Sequence, residues 1–407
     1  MKQNEGKDFL HRRKSLFLFL NETERKDVMK ILFASDSFKG SLSSKRVAQL
    51  LEEAAHRVFP EAETEKVLVA DGGEGTMDTV VEELHGTYRE IPVKGPLGEE
   101  QRAVYGILPG KKAVIEMAQA SGLPLVPEAL RNPRKTTSYG TGMLIADAMD
   151  QGIRDILIGI GGSATNDGGM GAMSALGIRF LDQNGRRLDG CGEDLGKVWS
   201  VDVSGMHPAV KETSFTVMSD VKNPLLGKDG ATYTFGEQKG ASEEDLKLLE
   251  TGMAQYAEIA EKEMGKHTAA QAGAGAAGGL GFALLTFLDA KLKSGIETVL
   301  DIVEFDEKLK RTDLVITGEG RMDWQSSFGK VPSGVGNRCK KAGIPAAAVA
   351  GGLLEGYETI YDEGICTVMT TISGTMDLKE AMERSEELYL DAACRLFQAI
   401  SIGMKMK

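Results

Sequence analysis

Three short segments of this 407-residue chain set carboxylates, cations and hydroxyls between glycines. In Ser35-Asp-Ser-Phe-Lys-Gly-Ser41, Lys39 and the hydroxyls of Ser37 and Ser41 are the groups that clamp an anion. Asp71-Gly-Gly-Glu-Gly-Thr76 offers Asp71 and Glu74, and Thr317-Gly-Glu-Gly-Arg-Met-Asp323 offers Glu319, Arg321 and Asp323, with Lys330 shortly beyond. Donors for phosphate oxygens, carboxylates for Mg²⁺ and a base are the parts that phosphoryl transfer requires. Each segment also has a plainer reading. Asp36, Asp71 and Asp323 are good helix caps, Lys39 alone reads as a solvated lysine, and Glu319 with Arg321 reads as a surface ion pair of little consequence. The functional reading gains because glycine and carboxylate recur together three times, twice with a cation.

A fourth segment is richer still. Gly159-Ile-Gly-Gly-Ser-Ala-Thr-Asn-Asp-Gly-Gly-Met-Gly171 follows a predicted strand and opens a predicted helix. Outward-pointing amides and the helix dipole suit such a turn to phosphate. Its start also matches the dinucleotide pattern G-x-G-x-x-A, with Asp182 about twenty residues on. A second match, Gly273-Ala-Gly-Ala-Ala-Gly278, has no strand before it, and close helix packing is the plainer account of both. No G-x-x-x-x-G-K-[ST] segment and no protein-kinase motif set occurs. Any phosphoryl transfer here uses another arrangement of the same parts.

The elements that must position these loops alternate. Lys30–Ala34 and Lys66–Ala70 read as strands, and Ser43–Phe59 and Thr76–His85 as helices, an order that implies a parallel sheet. All three carboxylate loops follow strands, and ligands of open α/β sheets bind outside the carboxyl ends of strands. From Tyr88 to Ala118 short alternating runs broken by Pro92, Gly95-Pro96 and Pro109-Gly110 predict antiparallel hairpins and an inserted unit. Helical spacing returns at Ser138–Met149 and Glu243–Lys262. Strands are expected at Asp155–Ile160, Ser214–Met218, Asp313–Thr317 and Ala346–Ala350, and a closing helix at Leu378–Ile400.

Composition narrows the function. Fifty residues are glycine, well above a background of about 7%. With no collagen period or low-complexity tract, that excess points to backbone approaching a ligand. A net charge of −12 argues against nucleic acid and anionic membranes as partners, while a small anion remains open to a local cluster of donors. Four scattered cysteines read as a reduced cytoplasmic protein without disulfides or zinc. Residues 1–28 are charge-rich with one short apolar run, Leu16–Leu20, too short for a signal peptide or a membrane span. Either Met29 is the physiological start, which is the expectation, or the extension is a loosely attached arm.

In these segments the chain resembles the type I family of bacterial glycerate kinases. Ala34–Leu42, Ala70–Thr76 and Ile160–Gly171 carry the resemblance, joined by Ser219-Asp-Val-Lys-Asn-Pro-Leu225, Phe235-Gly-Glu-Gln-Lys-Gly-Ala241, Gly275–Gly281 and Thr317–Asp323. It runs from Met29 to about residue 400. Residues 1–28 have no counterpart, and Trp324 replaces what is more often a small polar residue. The resemblance implies an α/β protein of two domains, a flavodoxin-like parallel-sheet domain discontinuous in sequence (29–90 and 293–407) and a second α/β domain inserted (91–292). It implies ATP-dependent phosphorylation of D-glycerate with Mg²⁺, 2-phosphoglycerate being the family's usual product and 3-phosphoglycerate the alternative.

Expected roles follow. Asp71, Asp220 and Asp323 supply a base and the Mg²⁺ ligands, with Asp71 and Asp323 on the metal. Lys39 contacts phosphate. Ser37, Ser41, Glu319, Arg321 and Lys330 hold substrate, Arg321 or Lys330 meeting its carboxylate. Gly161, Gly162, Ser163, Asn166, Asp167, Gly168 and Gly169 carry the nucleotide phosphates. Two rivals stay open on the residues alone: an NAD-dependent dehydrogenase of a small hydroxy acid, from the Gly159–Asp182 pattern, and a non-catalytic sugar-acid sensor.

Overall fold

The computed structural model describes residues 28–406; the expectation for residues 1–28 lies, but for Val28, outside them. In chain order the strands are β1 (Lys30–Phe33), β2 (Glu63–Lys66), β3 (Thr87–Lys94), β4 (Glu100–Leu108), β5 (Lys112–Glu116), β6 (Asp155–Gly159), β7 (Arg179–Leu181), β8 (Ser200–Asp202), β9 (Ser214–Met218), β10 (Lys291–Lys293), β11 (Leu314–Glu319), β12 (Ala346–Ala350) and β13 (Ile365–Thr370). Residues 28–71 and 299–406 form one compact unit, and 72–298 form the other.

The first unit is a five-stranded sheet, every pair parallel, in the order β13-β12-β11-β1-β2. Counted within the unit this is the flavodoxin-like order 2-1-3-4-5, whose topological switch point lies between its first and third strands. Those strands are β1 and β11, registered Ile31↔Leu314 to Phe33↔Ile316. The central strands β11 and β12 are buried throughout, which is why they read as continuous apolar or small-residue runs rather than alternating ones. Helix Ser44–Val58 begins at Ser43, whose hydroxyl accepts from the Arg46 amide, and buries Val47, Leu50, Leu51 and Ala54 at helical spacing. It packs against helix Ser385–Lys405. Phe397 of that helix meets Phe33 and Phe59 edge-on at 6.4 and 6.3 Å.

The second unit has its own core around a six-stranded mixed sheet, β10-β9-β6-β5-β4-β3. The two outer pairings at one end, β3 with β4 and β4 with β5, are antiparallel and the others parallel, so the hairpin-rich stretch after Tyr88 is the antiparallel end of this sheet.

Three expectations shift. Residues 72–90 and 293–298, assigned by sequence to the first unit, group with the second, because β3 pairs along its whole length with β4 and β10 ends the second sheet at Lys293. The strand expected at Lys66–Ala70 is Glu63–Lys66, since β1 ends at Phe33 and its carbonyl takes the last ladder bond, from Val67 N at 2.9 Å. The closing helix is two, Leu378–Glu383 and Ser385–Lys405, divided at Arg384. Phe397 is fully buried. Phe397→Ala therefore lowers the unfolding free energy by about 3–5 kcal/mol, measurable by urea denaturation.

Candidate active site

The carboxyl edge of the first unit's sheet gathers Ser35–Ser41, Thr317–Asp323 and, from the third expected segment, Asp71. Beyond β1 the chain stays tied to β11, with Ala34 N donating to Ile316 O at 2.9 Å and Asp36 N to Gly318 O at 3.0 Å. Asp36 thus sits beside the end of β11, where Glu319 is buried, on either side of the switch point. The loop then closes on itself through a Phe38–Leu42 bridge, leaving Lys39 and Ser41 exposed at its tip. Phe38 anchors it on Tyr389, ring centroids 5.1 Å apart. Gly318 and Gly320 let these loops approach: a Cβ on Gly318 would lie 2.0 Å from Val349 O, and one on Gly320 3.4 Å from the Phe38 Cα.

Crowded carboxylates govern the electrostatics. Burial first, then the charge of Asp71 and more weakly Glu319, push Asp36 up to about 7 against the opposing Ser37 amide and Lys39. Its Oδ1 accepts from Ser37 N at 2.7 Å. Burial also raises Glu319, with Asp323 adding to it and Lys330 opposing. Lys330 Nζ stands 3.5 Å from Glu319 Oε2, while Oε1 is buried without a hydrogen-bond partner among the described residues. Arg321 is exposed, its Nε 3.8 Å from Asp323 Oδ2.

Of the three aspartates read as possible caps, one is a cap. Asp323 accepts from Gln325 N at 2.9 Å and, with Ser326, closes a capping box on the turn Trp324–Ser327. Helix Ser44–Val58 is capped by Ser43 instead, and Gly75 occupies the N-cap position of helix Thr76–Glu83. Asp323 as metal ligand therefore has a competing structural duty. The first unit holds Asp71 and Asp323, whereas Asp220 is exposed just past β9 in the second unit. Trp324 lies exposed against Phe328.

In the second unit the glycine-rich turn divides in two. Gly161 and Gly162 are exposed, and their amides donate to no acceptor among the described residues. Ser163, Asn166, Asp167, Gly168 and Gly169 are buried. Asp167 Oδ2 accepts from Ser138 N and Oγ, both at 2.7 Å, and from Gly171 N, while Oδ1 accepts from Gly169 N. A side-chain carboxylate thus takes amides at the start of helix Met170–Ala175 that were expected to meet a phosphate. Gly168 and Gly169 face Tyr256, Ala283 and Leu280, where a Cβ would clash. Asn166 Nδ2 donates to Thr232. These four positions, which the sequence pattern predicts to carry nucleotide phosphate, are buried and engaged within the second unit's own packing. The Gly273–Gly278 match is also packing: a Cβ on Gly278 would lie 2.0 Å from Thr165 O.

The dinucleotide pattern fails on context. No helix opens until Met170, and Asp182 follows β7, which pairs with β8 in a separate two-stranded sheet. Its Oδ1 accepts from Asn184 and Arg186 amides in a tight exposed turn. A small pocket is lined instead by Gly72, Gly73, Glu74, Glu116, Ala118, Gly159 and Gly161. There Gly72 lies on the glycine turn, a Cβ on Gly159 reaching 3.3 Å from Gly72 O.

Three residues escaped the sequence reading. Asp36, in Ser35–Ser41, suggests by residue type no more than a helix cap; its place just past β1 is the signal that marks it out. Lys239, in Phe235–Ala241, is buried, its Nζ donating to Ser163 Oγ at 2.8 Å and Thr165 O at 2.7 Å. Glu116 is buried, its Oε1 accepting from Met77 N at 2.8 Å across 39 residues of sequence, a pairing with no local signature.

Fold and site together define an α/β protein of two units, flavodoxin-like in the first, with a carboxylate cluster at the switch point. The sequence profile of the glycerate kinase family matches residues 31–401. The chain is 44% identical to a glycerate kinase of Halalkalibacterium halodurans over 91% of its length and 98% of the relative's. It is likewise 44% identical to the glycerate 2-kinase of Escherichia coli, covering 93% and 99%. A solved structure from Salmonella typhimurium LT2 bearing the name glycerate kinase 2 superposes with a TM-score of 0.85 at 41% identity, over 93% of this chain and all of that one. The chain belongs to the glycerate kinase family.

A carboxyl whose folded value exceeds its unfolded one keeps its proton in the fold where the unfolded chain has lost it, so stability falls as pH rises between the two values. For Asp36 that window runs from 3.8 to about 7. Asp36→Asn, which keeps the Oδ1 acceptor, is expected to melt higher than wild type at pH 8 and to lose that advantage at pH 5, as followed by thermal denaturation.

Proposed function

We propose that this protein is an ATP-dependent glycerate kinase, transferring a phosphoryl group to a hydroxyl of D-glycerate, with 2-phosphoglycerate as product. Family membership supports the activity, and the observation that carries the site is the meeting of Asp36, Asp71 and Glu319 at the switch point. Two hard carboxylates, Asp71 and Glu319, the latter with one oxygen buried without a hydrogen-bond partner among the described residues, suit Mg²⁺, although those residues hold no group of three or more such ligands. That ion commonly takes one or two protein carboxylates and completes its shell with water and substrate phosphate. Asp71 and Glu319 would hold it, and when bound it neutralises charge on the transferring phosphate oxygens.

Asp36 is the group suited to accept the proton of the attacking hydroxyl, since a base works best when its pKa lies near the working pH. Lys39, at the exposed loop tip, meets phosphate, with the Ser37 and Ser41 hydroxyls beside it. Arg321 and Lys330 pair with the substrate carboxylate. In the second unit the free amides of Gly161 and Gly162, with Ser163, take nucleotide phosphate. Asp220 is retained there as a further carboxylate at a strand's carboxyl end. Asp323 serves mainly as a cap.

Removing one such charge partner typically costs two or more decades in rate. Asp36→Asn and Asp71→Asn are each expected to lower kcat at least a hundredfold in a coupled assay of ADP release from ATP and D-glycerate. Asp323→Asn, which preserves the cap, is expected to stay within tenfold of wild type. Near-normal turnover in both Asp36→Asn and Asp71→Asn would sink this site, and NMR of the product decides which hydroxyl is phosphorylated.

A further inference from the structure

We propose that Lys239 is a positioning residue for nucleotide binding, tying down the Gly161–Ser163 turn from beneath through Ser163 Oγ and the Thr165 carbonyl. The proposal rests on the reading that this turn takes nucleotide phosphate. Lys239 ends a short 3-10 turn, Glu237–Lys239, and Gly240 follows at φ +94°, with Arg131 O filling the space a Cβ would need. The backbone there has one way to run, which aims the side chain inward. Its Nζ then meets two points of the turn, Ser163 Oγ and Thr165 O. On either side, Ala164 N donates to Ser121 O and Thr136 Oγ1 to Ala164 O. Asp167 clamps the far end through four hydrogen bonds. Every residue from Ser163 to Met170 is buried, so the turn presents only Gly161 and Gly162 to solvent.

Stability alone gives no reason for an ammonium in this place. Desolvating a lysine is costly, and an apolar side chain of similar volume at such a position is often neutral or stabilising. Burial pushes Lys239 down to about 7, with the charge of Asp167 opposing, and burial raises Asp167 in turn. The compensation Lys239 does receive comes from the atoms it holds, and these follow directly on the two residues whose amides are free. Loss of the tie lets Ser163 and Thr165 relax and turns the Gly161 and Gly162 amides from a shared focus. Affinity for nucleotide falls while the carboxylate site of the first unit is untouched.

The test is steady-state kinetics with ATP and D-glycerate varied separately, alongside circular dichroism and thermal melts. Lys239→Met is expected to raise the KM for ATP at least tenfold and leave the KM for glycerate within twofold. Lys239→Gln, which keeps a donor, is expected to recover part of the loss. Gly161→Ala tests the turn by itself: its Cβ would find only ordinary contact, 3.7 Å from the Gly73 Cα, yet it would crowd an arriving phosphate.

If Gly161→Ala raises the KM for ATP and folded Lys239→Met does not, the role of Lys239 falls and the turn keeps its function. When neither moves it, the turn itself is misassigned. A rise in Lys239→Met without one in Gly161→Ala, or equal rises for both substrates, also overturns positioning through the turn. Should Lys239→Met fail to fold, Lys239→Gln decides: at least a threefold rise confined to ATP supports the proposal, and no rise or a shared one overturns it.

Discussion

Like charges held close together are the constraint on which the first unit turns. A parallel sheet delivers all its strands' carboxyl ends to one edge, and the strand order opens a crevice where the crossovers part. Asp36 and Glu319 flank that point, and the charge of Asp71 reaches Asp36. Left to themselves these groups repel, so the rest of the unit must hold them against their preference. That work falls to the sheet register tying Asp36 to Gly318, to Phe38 lodged on Tyr389, and to the aromatic core around Phe397. Natural sites commonly trade stability for a strained arrangement of this kind.

Glycine serves a second constraint, contact between backbones. At the edge of the first unit it lets one loop lie on the next without an intervening side chain, as Gly351 does against Gly320 O. In the second unit Gly278 and Gly279 adopt left-handed conformations and press on Thr165 and Gly168. Most of the glycine around the turn shapes the support, and two residues remain to face a ligand.

This division explains what could and could not be read from the chain. The alternation of strands and helices, the antiparallel stretch after Tyr88 and the placement of the Asp36 and Glu319 loops at strand ends were all legible, because each rests on local periodicity or on short turn chemistry. Asn166–Gly169 misled because a glycine needed for packing and a glycine needed for phosphate look alike in sequence; burial separates them, and burial is a tertiary property. Lys239 reaches Ser163 across 76 residues, and Lys30 N donates to Asp313 across 283. No window along the chain holds both partners of either contact. Asp36 could have been singled out by topology alone, had the pairing of β1 with β11 been known.

That last pairing has a consequence for how the protein comes into being. The second unit is one continuous stretch and can condense as soon as its own residues have left the ribosome, as domains generally do. The first unit cannot. Its β1 must wait for β11, which arrives only after the whole intervening unit has been made, and contacts so remote in sequence form slowly. During that interval the apolar run Ile31-Leu-Phe33 has a vacant edge where β11 belongs. An unpaired edge of this kind exposes the nascent chain to aggregation until β11 arrives, in the same step that brings Glu319 up to Asp36.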